Sequence, residues 1–497
     1  MPNENKLITG IEEDMSLTFT ENGATAYNTA GAGDLLDLFA ISGSLRTRLD
    51  DIDGKYVRAL AEDKLNAVKL AFYTRDIREG LGERDAARRM FRVLATADPD
   101  VMAKNMYLLP EYGRWDDVVE LIDTPAGKKA VELINAQLSE DVVNMSAGRP
   151  VSLLAKWLPS ANTSSRKTRC KAEAVIEALG MTPREYRKTL SALRAYLNVT
   201  EVRMTEKDYD SINYAHVPSN AMNRYREAFR KNDKDGFSRY LESLKKGEAK
   251  INSGTLYPYD IVQKYTDELG CGYWRTPTVT PDEVLEEQWK ALPNYIEGEN
   301  NYLIMVDVSG SMMGRPMATS VGLGIYFAER NKGAFANTFM TFTDVPKVVR
   351  VKGGTLAEKV SSIFSYGVGY NTDLEAAFEV VLRAAVRRKI PAEEMPKSII
   401  VISDGEIDSL TYQTNWGFVD EMKDRFNAMG YELPNLVLWN VESRQDTYHA
   451  SGYAQNVQMC SGQSATVFKA LLHSAGMTPY EYMMFVLGNE RYDVIQV

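Results

Sequence analysis

The stretch YLIMVDVSGS, residues 302–311, decides the fold expected for the second half of the chain. Its first five residues form a continuous apolar run, which is typical of a strand buried on both faces of a parallel sheet. A second run of this kind is SIIVI, residues 398–402. Strands that alternate with helices predict a doubly wound, Rossmann-like α/β domain, which we assign to residues 297–497. Further strands are expected at 336–342, 346–351 and 436–439, and helices at 316–329, 355–364, 373–388 and 417–429.

Polar residues follow both apolar runs directly. The first run continues into the pattern D-x-S-x-S at 307–311, and the second continues into SDGE at 403–406. In a doubly wound domain, ligands bind beyond the carboxyl ends of the strands at the switch point, so these side chains should converge. Gly310 should let the first loop turn tightly. With a threonine from the loop at 369–373, the expected metal ligands are Asp307, Ser309, Ser311, Thr372 and Asp404.

This set combines two carboxylates with three hydroxyls, all of them hard oxygen donors. Such donors favour Mg²⁺ or Mn²⁺ over zinc or copper, so Mg²⁺ (or Mn²⁺) is the expected cofactor. Ser, Asp and Gly are also common in turns at strand ends, so D-x-S-x-S alone is compatible with an ordinary polar turn. The three motif segments together favour the metal site.

With these residues in this order, the second half resembles a von Willebrand factor A domain with its metal-ion-dependent adhesion site. The resemblance implies that the hydroxyls bind the metal directly and that the aspartates commonly act through water. It also implies that one coordination position is left for the carboxylate of a protein partner.

Residues 31–296 show predominantly helical periodicity, interrupted by Gly, Pro and Asn. This pattern predicts an all-α array of HEAT-like character, preceded by an N-terminal extension at 1–30. One helix is expected at roughly 55–74, with Ala61, Leu65, Val68 and Phe72 on its apolar face. The pattern Thr-Pro-x-Glu predicts three further helix starts, at Thr182, Thr280 and Thr478.

The chain has a net charge of -10, which argues against a protein whose whole surface binds nucleic acid. Residues 151–200 are a local exception, because nine basic and three acidic residues give this segment a charge of +6. A solvated helix face and an RNA-binding surface both remain compatible with that charge. The expected RNA-binding residues are Arg166, Lys167, Arg169, Lys171, Arg184, Arg187, Lys188 and Arg194.

Five short segments, 21–27, 35–39, 75–78, 112–117 and 156–159, resemble an uncharacterised family of cellular and phage proteins that join a helical region to a C-terminal A domain. This layout is in turn similar to the Ro ribonucleoprotein family, which combines a TROVE region with an A domain. The resemblance implies a TROVE-like helical array that closes into a ring and binds RNA.

We therefore expect a non-enzymatic, cytoplasmic RNA-binding protein whose partners are RNA and a protein that supplies an acidic side chain. A metal-dependent protein-protein interaction scaffold without RNA is the alternative. An enzyme is less favoured, because no nucleophile or base pattern accompanies Asp307, Asp404 and Glu406. The first ten residues lack a signal-peptide pattern, and no segment approaches about 18 consecutive apolar residues, so no membrane partner is expected.

Overall fold

The computed structural model describes residues 16–270, 279–296, 301–332, 334–341, 345–364, 373–408 and 418–497. The described part of 31–296 contains helices and connecting loops, without a strand. Its α-helices are α1 (Asp34–Ile41), α2 (Ile52–Glu62), α3 (Lys64–Arg75), α4 (Arg84–Ala97), α5 (Pro99–Asn105), α6 (Leu109–Tyr112), α7 (Trp115–Val119), α8 (Gly127–Ser146), α9 (Leu154–Trp157), α10 (Arg166–Ala178), α11 (Pro183–Tyr196), α12 (Thr200–Glu206), α13 (Ser219–Asn232), α14 (Lys234–Lys245), α15 (Pro258–Gly270) and α16 (Glu283–Lys290). We call this region the helical part.

The chain from residue 301 onward, which we call the α/β part, forms a six-stranded sheet flanked by helices. Its strands are β3 (Tyr302–Val306), β4 (Thr338–Thr341), β5 (Lys347–Arg350), β6 (Ser398–Ser403), β7 (Asn435–Asn440) and β8 (Val457–Ser461). Its helices are α17 (Arg315–Arg330), α18 (Leu356–Phe364), α19 (Leu374–Arg388), α20 (Phe418–Ala428), α21 (Val467–Leu471) and α22 (Pro479–Leu487). None of the helices in the described ranges is long and apolar enough to cross a membrane.

The strand order of the sheet is β5-β4-β3-β6-β7-β8, and only the β4-β5 pair is antiparallel. From β3 the chain moves outward to β4 and β5, then returns to pair β6 on the other side of β3. The carboxyl ends of β3 and β6 therefore flank the switch point of the sheet. This mixed α/β arrangement after a helical region confirms the expected two-part layout.

The first apolar run forms β3 over the five predicted residues, and all five are buried. Alternate side chains enter two different hydrophobic clusters because successive residues of a strand point to opposite faces. Ile304 and Val306 belong to a cluster that includes residues of both parts of the chain, whereas Leu303 and Met305 pack with aromatic residues of α19 and α20. Burial on both faces explains why the run lacks polar residues.

Helix α17 packs closely on both sides, against the sheet and against α15. A Cβ atom on Gly324 would lie 2.7 Å from Cγ2 of Val306, and one on Gly322 would lie 3.1 Å from the backbone carbon of Pro258. A side chain at Gly324 would clash with the sheet, and one at Gly322 would be crowded by α15, so both glycines allow the close packing of α17. The helical part and the sheet thus share one continuous core.

The first described residues form a hairpin that the sequence did not predict. Strands β1 (Leu17–Phe19) and β2 (Thr25–Tyr27) pair in antiparallel fashion. The hairpin joins the α/β part, since Tyr27 and Tyr448 exchange two backbone hydrogen bonds of 2.8 Å. The Thr20 hydroxyl also donates to the Ile407 carbonyl oxygen at 2.7 Å. The described part of the N-terminal extension, from residue 16 onward, is therefore attached to the α/β part.

The helix expected at 55–74 is instead two helices, α2 and α3, which meet at Asp63. The Asp63 amide donates to the Ala59 carbonyl oxygen at the end of α2. The Asp63 carboxylate then accepts a hydrogen bond from the backbone amide of Asn66 at 3.0 Å and caps α3. The predicted stripe is wrong in its first half, because Ala61 and Leu65 are exposed.

Two of the three expected Thr-Pro-x-Glu starts are confirmed. Thr182 and Thr478 each form a capping box with the glutamate three residues later. The start at Thr280 is wrong, because Asp282 caps α16 by accepting from the Val284 amide at 3.1 Å. A carboxylate nearer to the helix outcompetes the threonine as the cap.

The segments 75–78 (RDIR) and 112–117 (YGRWDD) meet inside the helical part around the buried carboxylate of Asp117. Asp117 Oδ2 accepts from Arg75 Nε at 2.7 Å and from the Arg114 amide at 2.9 Å. Its other oxygen accepts from Arg88 Nε at 2.6 Å. These charges therefore connect α3, α4 and α7 inside the protein.

Replacement Asp117→Asn should lower the free energy of unfolding by about 3–5 kcal/mol, because the buried Arg75 guanidinium loses its counter-ion. Urea unfolding followed by circular dichroism measures the change. The matched control is Asp85→Asn, which breaks the exposed pair with Arg84 and should cost at most about 1 kcal/mol. Equal effects of the two substitutions would contradict a structural role for the buried pair.

Candidate metal centre

The pairing of β3 with β6 brings the two predicted aspartates to one place. The strands are parallel, with Val306 opposite Ile402, so the residues that follow each strand emerge side by side. The ladder extends one step further, since the Asp307 amide donates to the Ile402 carbonyl oxygen at 3.0 Å. Asp307 and Asp404 thus lie at the switch point.

The Asp307 carboxylate is fully buried, and both its oxygens accept hydrogen bonds. Oδ1 accepts from the Ser309 amide at 2.9 Å, and Oδ2 accepts from the Ser403 hydroxyl at 2.7 Å. The Asp307 carbonyl oxygen also accepts from the Ser320 hydroxyl of α17 at 2.8 Å. The two bonds to its oxygens hold the carboxylate in one orientation.

The two predicted serine ligands have the spacing that a metal site needs. The hydroxyl oxygens of Ser309 and Ser311 lie 3.0 Å apart. In an octahedral Mg²⁺ site with metal-oxygen distances of about 2.1 Å, adjacent oxygens are about 3.0 Å apart. The two hydroxyls are therefore compatible with neighbouring coordination positions.

Gly310 does not have the role that we expected. Its φ is not positive, and a Cβ atom there would have no neighbour within 4 Å. A positive φ favours glycine instead at Gly314, with φ of 87° before α17, and at Gly405, with φ of 85°, because residues with a side chain rarely adopt this conformation. Gly405 follows Asp404 and lets the second loop turn away from the sheet.

Asp404 carries a buried carboxylate oxygen without a hydrogen bond. Its Oδ1 accepts from the Glu406 amide at 3.2 Å, whereas Oδ2 has no hydrogen-bond partner among the described residues. The nearest cation is Arg444, whose Nη2 atom lies 3.6 Å from Oδ2. An unsatisfied buried carboxylate oxygen is costly, and a metal-bound water would satisfy it.

The electrostatics of this edge favour a cation. Burial, and then the negative charge of Asp404, raise the pKa of Asp307 to about 7. Burial also raises the pKa of Glu406. Three carboxyl groups share a poorly solvated edge with one arginine at ion-pair distance from Asp404, so a divalent ion would stabilise their charged forms.

Four of the five predicted ligands lie in this one cluster: Asp307, Ser309, Ser311 and Asp404. Thr372 lies outside the described residues. Within the described ranges, no three His, Cys, Asp or Glu side chains form a metal-binding group, so a metal here would depend on the serine oxygens. Ser403 belongs to the predicted SDGE segment and joins the two loops through its hydrogen bond to Asp307, whereas Arg444 was not predicted at this edge.

The eight expected RNA-binding residues divide into two groups. Three of them make contacts within the protein: Arg169 donates to the Thr163 carbonyl oxygen at 2.8 Å, Lys171 pairs with Glu120, and Arg194 donates to the Leu158 carbonyl oxygen at 2.7 Å. Burial lowers the pKa of Arg194, the deepest of the three. The other five are exposed, and we call them the basic face: Arg166, Lys167, Arg184, Arg187 and Lys188.

Fold and site together define a protein in which a helical part is fused to an α/β part with a polar cluster at its switch point. Two family models match it in succession, a domain of unknown function (DUF2828) over residues 128–300 and another (DUF7788) over 301–491. The chain is also similar to the uncharacterized protein L728 of Acanthamoeba polyphaga mimivirus. The two are 29% identical over 511 residues, which cover 95% of this chain and 87% of the viral protein.

Stability should depend on pH through Asp307. Because its pKa is raised to about 7, the folded protein binds a proton that the unfolded chain has already released, and stability should fall as pH rises from about 4 to 7. In EDTA, the melting temperature of the wild type should therefore fall more steeply over this window than that of Asp307→Asn. Differential scanning fluorimetry across pH measures both.

Millimolar Mg²⁺ should reduce the difference between the two proteins, because the ion stabilises the charged carboxylate. Parallel pH profiles of wild type and variant in EDTA would contradict the assignment of this titration to Asp307.

Proposed function

We propose that this chain is a non-enzymatic RNA-binding protein of Ro-like layout. In this proposal the helical part is a TROVE-like array that binds RNA, and the α/β part is a von Willebrand factor A-like domain with a Mg²⁺-dependent adhesion site. The RNA-binding half of the proposal rests on the basic face. Its five cationic side chains are exposed and form no ion pair with any described residue. They stand out in a chain whose net charge is -10.

The placement of these cations on their helices supports an anionic partner. Arg166 and Lys167 occupy the first turn of α10, and this turn contains no acidic residue. The N-terminus of a helix carries partial positive charge, so cations there are unfavourable unless an anion lies nearby. RNA phosphates would relieve this repulsion and release condensed counter-ions.

The α/β part supplies the second half of the proposal. Ser309 and Ser311 would bind the ion through their hydroxyls, and Asp307 and Asp404 would contact its water ligands. Thr372 is the proposed third hydroxyl. Once bound, the ion supplies positive charge for an acidic side chain of a protein partner, while the protein keeps the surrounding carboxylates oriented.

The metal cluster also favours a second function without RNA. A metal-dependent protein-protein scaffold needs the metal cluster, formed by Asp307, Ser309, Ser311 and Asp404, but it does not need the basic face. The two functions differ in which surface matters, so substitutions in each surface separate them.

RNA binding should depend on the basic face. The wild type should show a steep fall in affinity for single-stranded RNA as salt rises, and Arg187→Gln with Lys188→Gln should lower the slope by roughly 1 to 1.5. The affinity of this double variant for the same RNA at about 0.1 M salt should be about tenfold lower than that of the wild type. Fluorescence anisotropy with a labelled oligonucleotide measures both quantities.

A matched control is the double substitution Arg387→Gln and Arg388→Gln, an exposed basic pair at the end of α19. It should leave affinity and slope unchanged. A wild type that binds RNA weakly and without salt dependence would remove the RNA half and leave the scaffold as the better account.

Metal binding should depend on the serine hydroxyls. Replacement Ser309→Ala removes one proposed ligand and should weaken Mn²⁺ affinity at least about tenfold, since octahedral sites tolerate little loss of geometry. Titration followed by electron paramagnetic resonance measures free and bound Mn²⁺. Ser362→Ala on α18 serves as the control, and equal Mn²⁺ affinity of the two variants would contradict the site.

A further inference from the structure

Arg444, in the loop after β7, spans the opening of the metal cluster. Its Nη2 atom donates to the Ser311 carbonyl oxygen at 2.5 Å and lies 3.6 Å from Asp404 Oδ2. Its Nη1 atom lies 3.6 Å from Oε2 of Glu21. One guanidinium therefore contacts both metal-binding loops and the tip of the N-terminal hairpin.

The loop that carries Arg444 is anchored to the helical part on both sides. Before it, the Ser443 amide donates to the Ser44 carbonyl oxygen at 3.0 Å. After it, Asp446 pairs with Arg48 at 2.9 Å and with Lys55. These contacts fix the backbone of the loop and thereby place the Arg444 guanidinium at the carboxyl edge of the sheet.

Glu21 is placed on the far side of Arg444 by an equally specific set of contacts. The Glu21 amide donates to Glu406 Oε2 at 2.6 Å, and the Asn22 side chain donates to the Glu406 carbonyl oxygen at 2.8 Å. Glu406 is itself buried. The hairpin tip is thus bound to the loop that follows Asp404, with its free carboxylate at ion-pair distance from Arg444.

Arg444 has two alternative carboxylates at equal distance, and neither is within hydrogen-bond range. A shift towards Asp404 would neutralise the one buried carboxylate oxygen of the cluster that has no hydrogen bond. A shift towards Glu21 would leave that oxygen available to a metal or its water. A guanidinium and a divalent ion beside the same carboxylate repel each other. Arg444 close to Asp404 would therefore weaken the binding of a divalent ion there.

We propose that Arg444 is a built-in counter-cation of the metal site, and that the Glu21-Arg444 pair sets the affinity of the site for divalent cations. The inference rests on the proposed metal site and adds residues that belong to none of its motif segments. Arg444 opposes metal binding at Asp404, and Glu21 favours metal binding by drawing the guanidinium away.

Isothermal titration of the full chain with Mn²⁺ and with Mg²⁺ tests the proposal. Arg444→Met should bind both ions about tenfold more tightly, because it removes a repelling charge. Arg444→Lys keeps the charge and should stay near the wild type. Glu21→Gln should bind a few-fold more weakly, and all these differences should shrink as salt is raised from about 0.05 to 0.5 M.

The control is Arg383→Met, which removes an exposed arginine paired with Glu379 on α19 and should leave the affinity unchanged. A purely structural role, in which Arg444 positions Ser311, predicts that Arg444→Met weakens binding. That result, or no change, would overturn the counter-cation while leaving the metal site in place.

The affinity of the wild type separates this inference from the metal proposal. If only Arg444→Met binds the ions, the result supports the counter-cation in its strongest form. If neither the wild type nor Arg444→Met binds Mn²⁺ or Mg²⁺, both the metal site and the counter-cation are wrong. Thermal unfolding by circular dichroism confirms that each variant is folded.

Discussion

The parallel pairing of β3 with β6 is the constraint on which the rest of the site depends. Their register places Asp307 beside the loop that begins with Ser403 and Asp404, although about a hundred residues separate the two segments. Burial from both faces of the sheet removes water from these carboxylates and makes their charge expensive. The neighbouring positions of Asp307 and Asp404 follow from this topology.

The hydrophobic core shared by the helical part and the α/β part joins the sheet to the rest of the described molecule. Helix α17 packs against the sheet and α15 with glycines at the closest approaches. The loop that carries Arg444 is bound to Ser44, Arg48 and Lys55 of the helical part. Direct contacts therefore join the helical part to the loop that carries Arg444, beside Asp404.

Sequence patterns predicted the features that depend on local chemistry. The run at 302–306 was recognisable because a strand buried on both faces must be apolar, and the first three proposed metal ligands follow it directly. Strand β8 (Val457–Ser461) was missed because Gln458 interrupts its apolar character. Gln458 is nevertheless fully buried, and its amide group is satisfied by the Asn435 side chain at 2.7 and 3.1 Å.

Features that depend on tertiary contacts left no local signal. Arg194 belongs to the most basic segment, yet its guanidinium donates to the backbone carbonyl oxygens of Ala155 in α9 and of Leu158 at the end of that helix. Glu21 and Arg444 meet across most of the chain, and neither lies in one of the three segments that predicted the metal site. The net charge was also uninformative about partners, because the acidic strand edge and the basic face lie on different parts of the molecule.

The most direct test of the central claim is a crystal structure of the protein with Mn²⁺, with the ion located by its anomalous scattering. The account predicts a peak bonded to the hydroxyls of Ser309 and Ser311, with water molecules between the ion and the carboxylates of Asp307 and Asp404. Ordered loops with no anomalous peak at the carboxyl ends of β3 and β6, at saturating Mn²⁺, would contradict it.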